Sequence, residues 1–272
     1  MLAAVALSAP TGVQAREPEA LPGAHAQAAR IIGAEVQMTQ ALAQLKILNA
    51  QGPPAAPLDR VRWEFAVESA KYAYRTAARD EQSRLYEVAS YDFVRASVMP
   101  LLPDSVAQPF NSAIDGLHSI YILAGIDQYY LVNPHFTHRY TDAKPVDTLR
   151  GYYLEAQNLY GVDASYLASI NYIESNFGRV NGPSSAGALG PMQFLPGTWA
   201  NYGNGGNVND PHDAILAAAR YLVHYGAPYD MRTAIWHYNL DYDYVDAVED
   251  FARAYRADPR WLDRMYYWNT FG

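Results

Sequence analysis

Glu174 is the residue whose type and position point most directly to chemistry. Asp163 reads as the N-cap of the helix that carries it, and Gly178 as the glycine just past its end. Between them Leu167, Ile170, Glu174 and Phe177 recur at helical spacing, so one face is apolar apart from a single glutamate. A carboxyl group aimed along such a face is costly to ionise. Burial should raise its pKa and keep it protonated near neutral pH, which suits a general acid. An edge glutamate bent out to solvent is the alternative for the residue taken alone, and the segments that follow weigh against it.

Downstream, Ser184-Ser185-Ala186-Gly187-Ala188-Leu189-Gly190-Pro191-Met192-Gln193 combines small residues with one amide. Small side chains let a bulky ligand approach the backbone, while the Gln193 amide can donate to and accept from one sugar. Further on, Trp236-His237-Tyr238-Asn239 places a second aromatic and amide pair at a helix end. Glycine-rich loops are commonly only turns, and Tyr-Asn at a helix end is commonly core plus cap; the order and conjunction carry the signal. His135 and His138 sit three apart, but Pro134 and turn-prone neighbours argue against the helix that spacing needs. No third ligand is near, so they read as surface or packing histidines and no metal is expected.

The elements that must position these groups are helical throughout. An Ala-rich helix spans His25 to Gln51 and ends at Gly52-Pro53-Pro54, and a second helical region runs from Asp59 to about Met99 with Phe65, Ala66, Ala70 and Tyr72 toward one side. A third stretch runs from Asp104 to about Ala124, with Pro109 as a kink point. In the second half, a helix over Asp147–Tyr160 is closed by Gly161, and Asp210-Pro211 opens one that Gly226 closes. Met231 to Tyr238 forms a short helix, and Asp243 can cap the next, whose apolar face is Val245, Val248, Ala252 and Tyr255. No strand-period alternation of useful length occurs, so the fold class is mainly α. The expected organisation is a tail or export-signal remnant over 1–20, a helical hairpin or bundle over 21–132, a linker over 133–145, a catalytic domain over 146–258 and a tail over 259–272.

Bulk properties narrow the partners. The 272 residues are 50% hydrophobic, enough for a sizeable core, and the formal net charge of −8 argues against nucleic acid or an anionic membrane surface. Without cysteine there is no disulfide scaffold, thiol nucleophile or Cys-based metal site. Tyrosine is unusually common, 23 against 8 Phe, which suits sugar grooves and helix seams alike. The first residues hold a short apolar run and a small-residue Val13-Gln14-Ala15 before Arg16, resembling a secretory signal without its basic region, so export is expected.

With the motifs laid out, residues from about 146 to 258 resemble the lytic murein transglycosylases of the soluble type, whose catalytic domain has the goose-lysozyme-like fold. Three motifs carry the resemblance: Glu174-Ser175-Asn176-Phe177-Gly178; Ser184 through Gln193 with Phe194-Leu195-Pro196 and Trp199; and Tyr238-Asn239 followed by Tyr244-Val245. The GPMQFLP-x-TW wording is most similar to actinobacterial versions. The resemblance implies Glu174 as the single catalytic acid/base, Ser184 and Gln193 as residues holding the N-acetyl and sugar groups, Tyr238 as the aromatic residue facing the acid and Asn239 as the amide beside it. It also implies cleavage of the β-1,4 bond between N-acetylmuramic acid and N-acetylglucosamine in peptidoglycan, with a 1,6-anhydro product and no cofactor. Most glycosidases need two carboxylates; one suffices when the substrate's own acetamido group assists. Where related sequences have a serine, this chain has Asp241, which could bring a water-activating base and hydrolysis, or could simply cap the following helix. A calcium reading of Asp241, Asp243 and Asp246 fails on spacing. The alternatives are a muramidase that uses water, and a wall-binding or assembly protein acting through its N-terminal helices. Those helices read as a scaffold or regulatory arm, with a module that binds another cell-wall or membrane protein as the alternative.

Overall fold

Apolar residues recurring every three to four positions dictate helices, and a computed structural model of the protein describes residues 23–125 and 139–268 as almost entirely helical. The signal-like stretch over 1–20, the histidines at 135 and 138 and much of the 133–145 linker lie outside the described residues. Two compact units divide the described chain, with the boundary inside one helix after Ala107.

The first unit is built on a long hairpin, α1 (Ala24–Gln51) and α2 (Pro57–Ala89). α1 stops where Gly52 takes a left-handed backbone at φ 66°, open to glycine at little cost. Ile31, Met38, Ala77, Ala78, Leu85 and Val88 form the seam, and the Trp63 indole donates to the Leu48 carbonyl at 2.9 Å. The buried face of α2 runs through Val67, Ala70, Tyr74 and Ala77. Phe65 and Tyr72, expected on that side, are 75% and 70% exposed because they fall on the opposite side of the helical turn. The helical region expected to about Met99 is interrupted once: Tyr91 is extended at φ −144°, and α3 (Asp92–Val98) starts anew before a 3-10 turn at Met99–Leu101. Ser90 helps end α2 by donating its hydroxyl to the Tyr86 carbonyl at 2.7 Å.

The second unit runs from Gln108 to Tyr266. It contains most of α4 (Asp104–Leu123), α5 (Val146–Tyr160), α6 (Ala164–Ser175), α7 (Pro196–Tyr202), α8 (Pro211–His224), α9 (Met231–Tyr238), α10 (Tyr242–Ala257) and most of α11 (Trp261–Tyr267). α4 stays helical through Pro109, and its Gly116 lies against the Phe251 ring of α10, where an added Cβ would come within 2.9 Å. Two two-residue strands, β1 (Arg139–Tyr140) and β2 (Val180–Asn181), pair antiparallel. The fold is mainly α.

α6 is the buried axis of this unit, with only Tyr166 and Ile173 reaching the surface. Its start follows the sequence: the Asp163 carboxylate accepts from the Ser165 N–H at 2.9 Å. α5, α8 and α10 surround it, and Tyr172 meets Phe251 edge to face at 5.1 Å. α11 belongs to this core rather than to a tail. Trp261, Leu262 and Met265 are fully buried, and burying side chains of this size stabilises by about 1.5–3 kcal/mol each. Tyr266 reaches Phe177, just beyond the end of α6, at 5.7 Å.

Candidate active site

α6 ends two residues earlier than its sequence suggests. Asn176, not Gly178, is the left-handed cap at φ 48°, and Phe177 and Gly178 follow at φ 62° and 83°. Three successive left-handed residues are costly for non-glycine side chains, and such strain gathers at functional sites. The turn is held by Ser175, whose hydroxyl accepts from the Gly178 N–H at 2.8 Å and donates to the Pro191 carbonyl at 2.6 Å. Asn171, one turn earlier, donates to the same carbonyl at 2.8 Å and is itself oriented by the Tyr153 hydroxyl at 2.7 Å. A buried polar chain from α5 through α6 thus fixes the loop that carries Gln193.

Glu174 sits beside this chain, fully buried. Its Oε1 accepts from the Tyr244 hydroxyl at 2.6 Å, and its Oε2 is buried without a partner. Burial pushes the carboxyl from its ordinary 4.5 up to about 8, and the Tyr244 hydrogen bond opposes part of that rise. No other carboxylate enters the shift. Because Oε1 is already an acceptor, the proton of the neutral acid belongs on Oε2. The arrangement is a neutral carboxylic acid with one oxygen held and the other buried without a hydrogen bond.

Tyr238 stands next to this pair without bonding the acid. Its ring lies parallel to that of Tyr244 at 6.4 Å, while its hydroxyl donates to the Met192 carbonyl at 2.8 Å. It therefore fixes the loop residue preceding Gln193, while the hydroxyl that bonds the carboxyl is that of Tyr244. Gln193 is nearly buried at φ 49°, with Nε2 donating to the Gly190 carbonyl at 2.9 Å. Gly190 itself is confined: a Cβ there would stand 1.9 Å from the Val208 carbonyl oxygen. Ser184 is half-buried and closes its own turn, its hydroxyl accepting from the Ala188 N–H at 3.0 Å. Asn239 is half-buried, with no hydrogen bond from its amide among the described residues. The structure thus bonds Glu174 to Tyr244, lays Tyr238 parallel to Tyr244, and ties the loop of Gln193 to Tyr238 through Met192. Ser184 and Asn239 make no bond to that group.

Asp241 is spent on structure. It caps α10 by accepting from the Asp243 N–H at 2.8 Å, so Asp241 and not Asp243 is the capping residue. Asp210, His212 and Asp213 come close enough to suggest a cation. Asp210 however caps α8, Asp213 accepts from the Asn207 N–H at 2.8 Å, and His212 bonds Glu155 at 2.9 Å. Residues that sequence reasoning left without a role are Tyr244, Asn171, Ser175 and Tyr153. Asn171 and Ser175, polar residues four apart on a buried helix, were the readable sign of an internal polar clamp. A cavity of about 360 Å³ opens beside the loop, lined by Thr141–Lys144, Gly178, Pro191 and Asn209 among others. None of the five expected site residues lines it, and the chemistry of Glu174 identifies the site better than that cavity does.

Residues 151–245 match the family model of the transglycosylase SLT domain. Neither the curated proteins nor the solved structures compared with the chain gave a match. The match supports a lysozyme-like domain of the lytic transglycosylase kind over that stretch, about a third of the chain. Glycan-cleaving action on peptidoglycan is the activity that this family carries.

Proposed function

We propose that the protein is a peptidoglycan lytic transglycosylase in which Glu174 is the only acid/base and the muramic acid leaves as its 1,6-anhydro form. The observation that carries this reading is the neutral, fully buried Glu174 with Oε2 unpartnered and no second carboxylate acting on it. In the first step Oε2–H protonates the glycosidic oxygen as the bond to the anomeric carbon breaks. The acetamido oxygen of the same sugar stabilises the positive centre, the role a second carboxylate plays elsewhere. The Glu174 carboxylate formed is then a base raised by burial, held among the described residues by Tyr244 alone. It takes the proton of the C6 hydroxyl as that oxygen attacks the anomeric carbon, which restores the neutral acid. A pKa near 8 serves both steps.

Oε2 has no contact with solvent in this conformation, so glycan binding must part the groups that cover it. Exclusion of bulk water favours the internal C6 hydroxyl over hydrolysis. Asp241, engaged as a helix cap, is not offered as a water-activating base. The substrate also supports placement in the cell envelope. Mass spectrometry of purified murein digested by the protein tests the reading. Anhydro-muramyl ends are expected, and reducing ends in their place would make the enzyme a muramidase and refute the single-carboxyl mechanism.

A further inference from the structure

α2 is apolar on two opposite sides along its first half. Val67, Ala70, Tyr74 and Ala77 line its buried side. Leu58, Val61, Phe65 and Tyr72 lie half a helical turn away and are between 61% and 75% exposed. Their spacing of three, four and seven residues is that of a coiled-coil seam, so they form one stripe about 20 Å long. Scattered apolar side chains on a surface are ordinary, whereas a contiguous stripe marks a contact. The first side is covered within the hairpin, and the second is open.

The pattern of the stripe says what covers it. Leu58 and Tyr72 stand seven residues before and after Phe65, at equal distances along the helix axis. A second α2 laid antiparallel, with a two-fold axis through Phe65, therefore sets Phe65 against Phe65, Leu58 against Tyr72 and Val61 against the small, exposed Ser69. An unrelated partner imposes no such symmetry. Two aromatic and two aliphatic side chains at this exposure offer about 500 Å² per copy, so pairing removes about 1,000 Å² from water, the low end of specific interfaces. The borders do not oppose it. Three acidic and three basic residues lie between Leu58 and Tyr72, with Asp59 paired to Arg62 at 3.3 Å and Glu68 to Lys71 at 2.7 Å. Two copies thus meet there without net charge, despite the −8 of the whole chain, and no surplus of Lys or Arg draws an anionic lipid surface.

We infer that the hairpin is a homodimerisation arm: two copies of the chain join through an antiparallel α2–α2 pairing centred on Phe65. This gives the N-terminal helices a role that does not depend on the reaction at Glu174.

Sedimentation equilibrium of the full chain tests it. A monomer–dimer equilibrium is expected at roughly micromolar concentrations, the range for an interface this small. Phe65→Glu should raise the dissociation constant about a hundredfold, as loss of a central anchor does, with an unchanged circular dichroism spectrum because the residue is exposed. Val36→Glu, at an exposed apolar position of α1, should leave the constant as it was. The chain has no cysteine, so single replacements report the geometry directly. Phe65→Cys should cross-link to itself with a short bis-maleimide. Leu58→Cys should not, since antiparallel pairing holds its two copies about 20 Å apart, but it should link to Tyr72→Cys when the two variants are mixed. A chain still monomeric at roughly 0.1 mM, whether it binds another protein or nothing, overturns the inference. So does a dimer that Phe65→Glu leaves intact, or one in which Leu58→Cys links to itself.

Discussion

Replacing Glu174 by glutamine separates the chemistry of this carboxyl from its cost to the fold. The amide keeps an oxygen for the Tyr244 hydroxyl and nearly the same volume, but it cannot ionise. In the native protein burial holds the acid neutral up to about pH 8, whereas the unfolded chain ionises it near 4.5. A group whose folded pKa is raised contributes stability that is complete below the unfolded value and is lost as pH rises through the folded one. At about 1.4 kcal/mol per pH unit between 4.5 and 8, the full loss is about 5 kcal/mol, of which about 4 kcal/mol falls between pH 5 and 9. The variant has no such loss. Urea titrations of both proteins at pH 5, 7 and 9 should show the variant's advantage widening by about that amount, or roughly 10 °C in melting temperature. Murein cleavage should be abolished at every pH. Parallel stability curves for the two proteins would refute the assignment of a buried neutral acid, whatever the effect on activity.

Two further substitutions probe the surroundings of the acid. Tyr244→Phe removes the only hydrogen bond that Oε1 makes among the described residues, leaves that oxygen buried and unpaired at about 1–3 kcal/mol, and lifts the carboxyl further. Cleavage by the native enzyme should fall away above about pH 8 as the acid ionises; in Tyr244→Phe the maximum rate should drop and that alkaline limb move upward, as pH–rate profiles would show. Gly190→Ala forces a Cβ to within 1.9 Å of the Val208 carbonyl in a left-handed backbone, so the loop cannot form as built. Soluble yield and far-UV circular dichroism should report a protein that is largely misfolded or shorn of its cooperative transition.

What the sequence alone determined was local in character. Helical periodicity assigned the fold class, Asp163, Asp210 and Gly161 marked helix ends correctly, and Glu174 stood out because an apolar face leaves a carboxyl nowhere to be solvated. Such features depend on neighbours within a turn or two, which the chain order states outright. Only the tertiary structure decided the partners. Tyr238 and Tyr244 belong to the same motif, and nothing in their spacing says which hydroxyl reaches the acid. The turn between α9 and α10 sends one to the Met192 carbonyl and the other to Glu174. The α6 terminus at Asn176 likewise depends on Ser175 and Asn171 finding the Pro191 carbonyl, a contact that exists only after the loop has folded back. Trp261 reads as part of a tail until Phe110, far away in sequence, packs edge to face against it at 6.5 Å. A hydrogen bond or ring contact between distant segments is set by where the helices lie together, and sequence periodicity carries no record of that.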